Sequence, residues 1–337
     1  MPKELEYPID FVLPWVDGSD PVWRAEKAKY MGEESSSVHS FDYQDWGLLP
    51  YWFRCIERNA PWVRHIYFVT WGHVPAWLNL DHPKLKIIKH TDYIPEKYLP
   101  TFSSHTIELN LHRIPGLSEH FVYFNDDTFL LKSVAPNFFF REGLPCDSAV
   151  INPVAPANKD CIANLMVTTT GVINENFSKR QVMRKNLGKW YNARYFPLVF
   201  LNLMFLPWSR FVGLYESHLP TSMMKSTYNE VWEKEYELLD ETCTRKFRDF
   251  KVDVNQWVMK NWQLASGNFA PRSIKCGKLV AIRNIEDARK CSQTIRDSAY
   301  PMLCVNDHVS DVSYMQAAEI VRAAFDVKFS QKSRFEL

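Results

Sequence analysis

Three apolar runs in this chain end on acids or amides. IDFVLPWV (9–16) leads into Asp17-Gly18-Ser19-Asp20-Pro21, HFVYF (120–124) into Asn125-Asp126-Asp127, and the run MLCVND (302–307) closes on Asn306-Asp307. A short apolar run closed by turn residues reads as a buried strand that delivers a polar loop. Repeated three times, this pattern constrains the fold more than any other feature, because the acids must gather where strands end.

Between these runs lie further strand and helix signals. Leu48, Leu49, Trp52, Phe53 and Ile56 have helical spacing over 48–59, and Pro61 stops that helix before HIYFVT (65–70). KLKIIKH (84–90) reads as another strand and 104–112 as another helix. Strands alternating with helices predict an α/β fold with a mainly parallel, Rossmann-like sheet whose ligands collect at the carboxyl ends of the strands. From about 155 to 265 the chain turns rich in Trp, Lys, Glu and Arg, with helical spacing at 231–239 and 254–264. This predicts an α/β part over 1–154, an inserted helical lobe over 155–265, and a return to the α/β part over 266–337, with a strand at 278–282 and a closing helix at 313–325.

A chain of 337 residues, 46% hydrophobic, buries a sizeable core. Its 40 Lys and Arg against 39 Asp and Glu leave no global field to hold a nucleic acid, so any polyanion site must be local. Seven scattered cysteines without a C-x-x-C pair indicate neither a zinc ribbon nor a disulfide framework, and suggest reduced thiols in a cytoplasm. The charged N-terminus has no apolar signal region. FPLVFLNLMFLPW (196–208), broken by Pro197 and Pro207, is too short to span a bilayer. It reads as a core helix, with contact to a membrane surface or a lipid-linked acceptor as the alternative. The absence of G-x-x-x-x-G-K-[ST], of G-x-G-x-x-G after a strand and of G-x-S-x-G disfavours P-loop kinases, dinucleotide oxidoreductases and α/β-hydrolases.

Strand-end carboxylates suit Mg²⁺ or Mn²⁺, which take hard oxygen ligands together with substrate phosphates. Asp and Asn after strands are equally ordinary turn residues, and it is their joint occurrence that points to a site. His218 in ESHLP can accept a proton near neutral pH, although one histidine among ten is more often structural. Arg245 and Arg248, three apart in TRKFRDF, can bind phosphate or merely be solvated on a helix face.

These segments resemble, in order and over most of the chain, the four conserved regions of the Stealth family. The first is seen in IDFVLPWVDGSDPVW (9–23) and the second from Asp45 to Leu130. The third is similar to SHLPTSMMKS with KFRDFKVDVNQW, and the fourth to CVNDHVSD. The resemblance implies transfer of a hexose 1-phosphate, or an N-acetylhexosamine 1-phosphate, from a nucleotide-sugar to a hydroxyl of an oligosaccharide or lipid-linked glycan. It further implies a glycosyltransferase-A-like form of the sheet, a divalent metal, release of nucleoside monophosphate, and a capsule or cell-surface polysaccharide as product. Carried over by position, His218, Arg248 and Asp127 become catalytic, and Asp126, Asp127, Asn306 and Asp307 hold the metal. Asp17, Asp20, Arg54, Asn125 and Lys225 bind substrate. The spacing from Arg248 to Asp253 departs from some relatives by a residue, which leaves the role of Asp253 open. The expected location is the cytoplasm, at the inner face of the membrane if the protein associates with it peripherally. The rival readings are a metal-dependent glycosyltransferase that releases nucleoside diphosphate and a non-catalytic glycan-binding protein.

Overall fold

The computed structural model describes residues 7–32, 46–159, 161–309 and 313–337. Strands Ile9–Pro14 (β1), Ile66–Thr70 (β2), Leu85–Lys89 (β3) and His120–Tyr123 (β4) run parallel in the order β3-β2-β1-β4. This is the expected Rossmann-like order. Along β1, Ile9, Phe11 and Leu13 pack on one face, whereas Val12 joins Tyr67, Val69 and Phe121 on the other. Because both faces are buried, β1, β2 and β4 read as mostly apolar runs, whereas β3 at the edge carries Lys86 and Lys89. Asp10 is the exception within β1, and its buried carboxylate is met by Arg64, Ser118 N and His65 N.

After β1 comes helix Pro21–Met31 (α1). Asp20 caps it by accepting from the N–H groups of Val22 and Trp23, Pro21 occupies its first turn, and Gly32 ends it in the left-handed region at φ 70°. Helix Leu49–Asn59 (α2) buries Trp52, Phe53 and Ile56 against the sheet. The expected helix over 104–112 is α-helical only over Ser104–Leu109 (α3) and continues as a 3-10 turn over Leu111–Arg113, with Pro115 just beyond.

Beyond β4 the chain forms Thr128–Leu130 (β5), Phe140–Arg141 (β6) and Leu144–Asp147 (β7). It then leaves through a narrow neck, where Ile151 bridges Leu214 and Asn152 N and Val154 N donate to Gly213 O and Val212 O. Within this excursion lie Ala163–Asn176 (α4), Lys179–Lys185 (α5), Leu187–Trp190 (α6) and Val199–Met204 (α7). The 196–208 run therefore holds one short helix and is not the core helix expected. Phe196, Phe200, Leu203, Met204, Leu206 and Trp208 are exposed.

The range expected to be helical also contains a strand, Thr221–Met224 (β8), which joins the main sheet antiparallel to β4. The helix expected over 231–239 is divided at Glu235 into Lys225–Lys234 (α8) and Tyr236–Thr244 (α9), and Trp257–Ser266 (α10) follows. Ala270–Pro271 (β9) pairs with β7. Gly277–Ile282 (β10), helix Ile285–Asp297 (α11), Met302–Asp307 (β11) and helix Tyr314–Lys328 (α12) complete the chain. β10 and β11 are parallel, and β11 pairs antiparallel with β5 in a second, three-stranded sheet. No helix among the described residues is long and apolar enough to cross a membrane.

Candidate active site

Two antiparallel pairings bring the separated motifs together. β5 pairs with β11, so Val305 N donates to Asp127 O at 2.8 Å and Asn306-Asp307 comes alongside Asp126-Asp127. β8 pairs with β4 with Thr221 opposite Tyr123, so His218, just before β8, arrives at the end of β4 where Asn125 begins. Asn125, Asp126, Asp127, His218, Arg248, Asn306 and Asp307 all line one cleft of about 660 Å³.

The side-chain contacts at its floor are directional. The Tyr123 hydroxyl donates to Asn125 Oδ1 at 2.6 Å, which turns the amide nitrogen of Asn125 toward His218 Nε2 at 3.2 Å. Asp127 Oδ2 lies 3.5 Å from the same Nε2 and accepts the Cys304 thiol at 3.2 Å. Burial of the His218 ring opposes its charge, but the hydrogen bond and charge of Asp127, with Glu108 and Glu216 behind, outweigh that and raise its pKa above 6.5. His218 also holds φ at 48°, a left-handed conformation that costs a non-glycine residue roughly 1–2 kcal/mol.

Arg248 reaches the cleft from the loop after α9, not from a helix face as expected. Its guanidinium lies over the Phe250 ring at 5.7 Å, and among the described residues it makes no ion pair. Arg245 points elsewhere, to Glu241 and Asp253.

Several residues of the site carry no signal in the sequence. Glu108 on α3 is fully buried beneath the cleft, where Tyr123 OH and Gln256 N meet its carboxylate and burial pushes its pKa up. Asp253 binds His105 Nδ1 at 2.9 Å, Asp249 N at 2.8 Å and Arg245 Nη1 at 3.0 Å, and so ties down the loop that carries Arg248. Trp46 Nε1 donates to Asp307 Oδ2 at 2.8 Å, and Val309 N holds the other oxygen. A histidine paired with a distant acid, or a tryptophan far along the chain, has no local pattern that could have announced it.

Four expected substrate-binding residues lie elsewhere. Asp17 closes its own turn by accepting from Ser19, and Asp20 caps α1 while holding His73 Nδ1 at 3.0 Å. Their loop contributes Trp15 and Val16 to the cleft instead. Arg54 is held by Glu336 at 2.9 and 2.7 Å and by Phe329 O. Lys225 donates to Leu117 O at the far end of β4, because β8 runs antiparallel and carries it away from His218.

The donor set suits a hard cation. Among the described residues, Asp127 Oδ1 is buried with no hydrogen-bond partner, an orphaned lone pair in the cleft that Asp126, Asn306 and Asp307 also line. Ligand atoms of Asp127, His218 and Cys304 also fall within 4.8 Å of one another. Burial, reinforced by Asp127, holds the Cys304 thiol far above its ordinary pKa, and Mg²⁺ or Mn²⁺ prefers hard oxygen to sulfur.

Known proteins match this chain along nearly its full length. The family models described as Stealth protein CR1, conserved region 1, and Stealth protein CR2, conserved region 2, match residues 7–35 and 42–146. The capsular polysaccharide phosphotransferase WcwK of Streptococcus pneumoniae is 41% identical over 97% of this chain and 98% of its own. The exopolysaccharide phosphotransferase cps2G of Lactiplantibacillus plantarum is 39% identical over 98% and 96%. Receptor polysaccharide phosphotransferase WefC of Streptococcus oralis is 38% identical over 98% and 99%. Among solved structures, the galactosyltransferase LgtC aligns over 94% of this chain and 95% of its own, at 10% identity and a TM-score of 0.39, a distant likeness. By its conserved regions and its full-length relatives, the chain belongs to the Stealth family of phosphotransferases.

Proposed function

We propose that this protein transfers a hexose 1-phosphate from a nucleotide-sugar to a glycan hydroxyl during synthesis of a capsular or other surface polysaccharide. The observation that carries the reading is the meeting of His218 and Arg248 with Asp126 and Asp127 in one cleft. The names of the relatives, each a polysaccharide phosphotransferase, support it.

The acceptor hydroxyl attacks the sugar-bearing phosphorus of the diphosphate. A new oxygen–phosphorus bond forms, the bond to the bridging oxygen breaks, and the nucleoside monophosphate leaves with the electron pair. His218 takes the acceptor proton at Nε2, to which Asn125 donates while the ring is neutral. Asp127 Oδ2 then faces the imidazolium and stabilises it. Arg248, which makes no ion pair among the described residues, meets the negative charge that grows on the transferred group. Asp126, Asp127, Asn306 and Asp307 would hold Mg²⁺ or Mn²⁺, which would supply positive charge to the diphosphate. The acceptor is an oligosaccharide or a glycan on a lipid carrier.

The test is incubation with Mn²⁺, a panel of nucleotide-sugars and an acceptor oligosaccharide. The expected products are a phosphodiester visible by phosphorus NMR and a nucleoside monophosphate, both abolished by a chelator and restored by added Mn²⁺. Release of nucleoside diphosphate without a phosphodiester would establish glycosyl transfer and overturn the proposal.

A further inference from the structure

The lobe presents a surface that the phosphotransfer chemistry does not use. Between Asn176 and Tyr215 the chain has seven Lys or Arg and no Asp or Glu, although the whole protein is nearly neutral. Arg180, Arg184, Lys185, Arg194 and Arg210 of that stretch are exposed. The same stretch exposes six large apolar side chains, Phe196, Phe200, Leu203, Met204, Leu206 and Trp208, each between 46% and 60% accessible. Soluble surfaces rarely gather so much apolar area without a partner.

The apolar side chains are displayed on an anchored scaffold. Buried Asn202 on α7 donates to Ala149 O at 2.8 Å and Trp190 O at 2.6 Å, while its Oδ1 accepts from Ile151 N at 2.7 Å. Buried Lys179 donates to Phe205 O and Trp208 O, closing the turn after α7. These bonds hold α7 with one side inward and Phe200, Leu203 and Met204 outward.

Charge decides what covers this face. A second copy placed symmetrically on it would set basic residues against the same basic residues. A bilayer bearing anionic lipid accommodates both properties, the apolar side chains at the acyl boundary and the cations among the headgroups. We propose that this face of the lobe docks on the surface of an anionic lipid bilayer. Trp208 precedes His218 by ten residues, at most ~36 Å of extended chain, so docking keeps the cleft within reach of a glycan carried on lipid.

Vesicle flotation of the full chain tests this without reference to the reaction. Wild-type protein should float with mixed phosphatidylcholine–phosphatidylglycerol vesicles and not with phosphatidylcholine alone, and added salt should weaken the binding. The triple variant F200S/L203S/M204S and the double variant R184E/K185E should each keep the wild-type Tm and bind at least roughly tenfold less. Failure of the wild type to float, equal flotation with neutral vesicles, or undiminished flotation of the triple variant would overturn the proposal. So would a wild-type dimer by sedimentation that the triple variant dissolves, because the face would then belong to self-association.

Discussion

His218 is the residue whose backbone and side chain make opposite demands. Its φ of 48° suits glycine, yet its imidazole stands against Asp127 and Asn125. His218→Gly should therefore lower kcat by roughly 100- to 10,000-fold while leaving Tm unchanged or slightly raised. Steady-state kinetics beside a thermal melt would check it, and near-normal turnover would remove the histidine from the mechanism. At this scale the sequence was legible where a side chain's place in the cleft follows from its position after a strand, as with Asp126, Asp127 and Asp307. It was misleading where the same residue type met a structural partner first. Asp20 became a helix cap, and Arg54 was claimed by Glu336, a partner 282 positions along the chain. Glu108 and Tyr123 were invisible because a helix acid and a strand tyrosine are commonplace until packing sets one upon the other.

The loop between α9 and α10 owes its shape to one carboxylate. Asp253, fully buried, accepts from His105, Arg245 and Asp249 N together. Asn in its place has a single acceptor oxygen, so a donor is orphaned at a cost of about 1–3 kcal/mol. Asp253→Asn should lower Tm and also cut kcat roughly tenfold by displacing Arg248. A lowered melt with kcat intact would show that the carboxylate serves stability alone. The elements themselves divide by length and burial. β1, β2, β4 and α2 were legible because apolar runs and a helical stripe leave few alternatives, and β3 because Leu85, Ile87 and Ile88 sit among its lysines. β8, four residues of Thr-Ser-Met-Met, has almost no strand signature and forms because β4 offers it an edge, yet without it His218 has no route to the cleft.

At the scale of the whole molecule, the carboxyl-terminal residues are fastened back onto α2. Partial burial disfavours ionised Glu336, but the hydrogen bonds and charge of Arg54, with Ser333, outweigh it and hold its pKa below 4.5. A depressed carboxyl stabilises the fold at pH above its unfolded value, and that contribution disappears as pH falls through the folded value. Glu336→Gln should therefore melt earlier than wild type above about pH 5, by about 2 kcal/mol, and the gap should close in acid. A gap that persists at low pH would assign the loss to packing instead. The neck at Ile151–Val154 and Val212–Leu214 is the remaining large-scale feature. Gly213 sits there at φ 135°, where a Cβ would lie 2.3 Å from Asn152 O. Chain departs and comes back at one point, so the intervening segment hangs from a single pair of backbone crossings, yet Ile162 and Leu165 reach back to line the cleft and so tie the outer surface to the place where acids and imidazole meet.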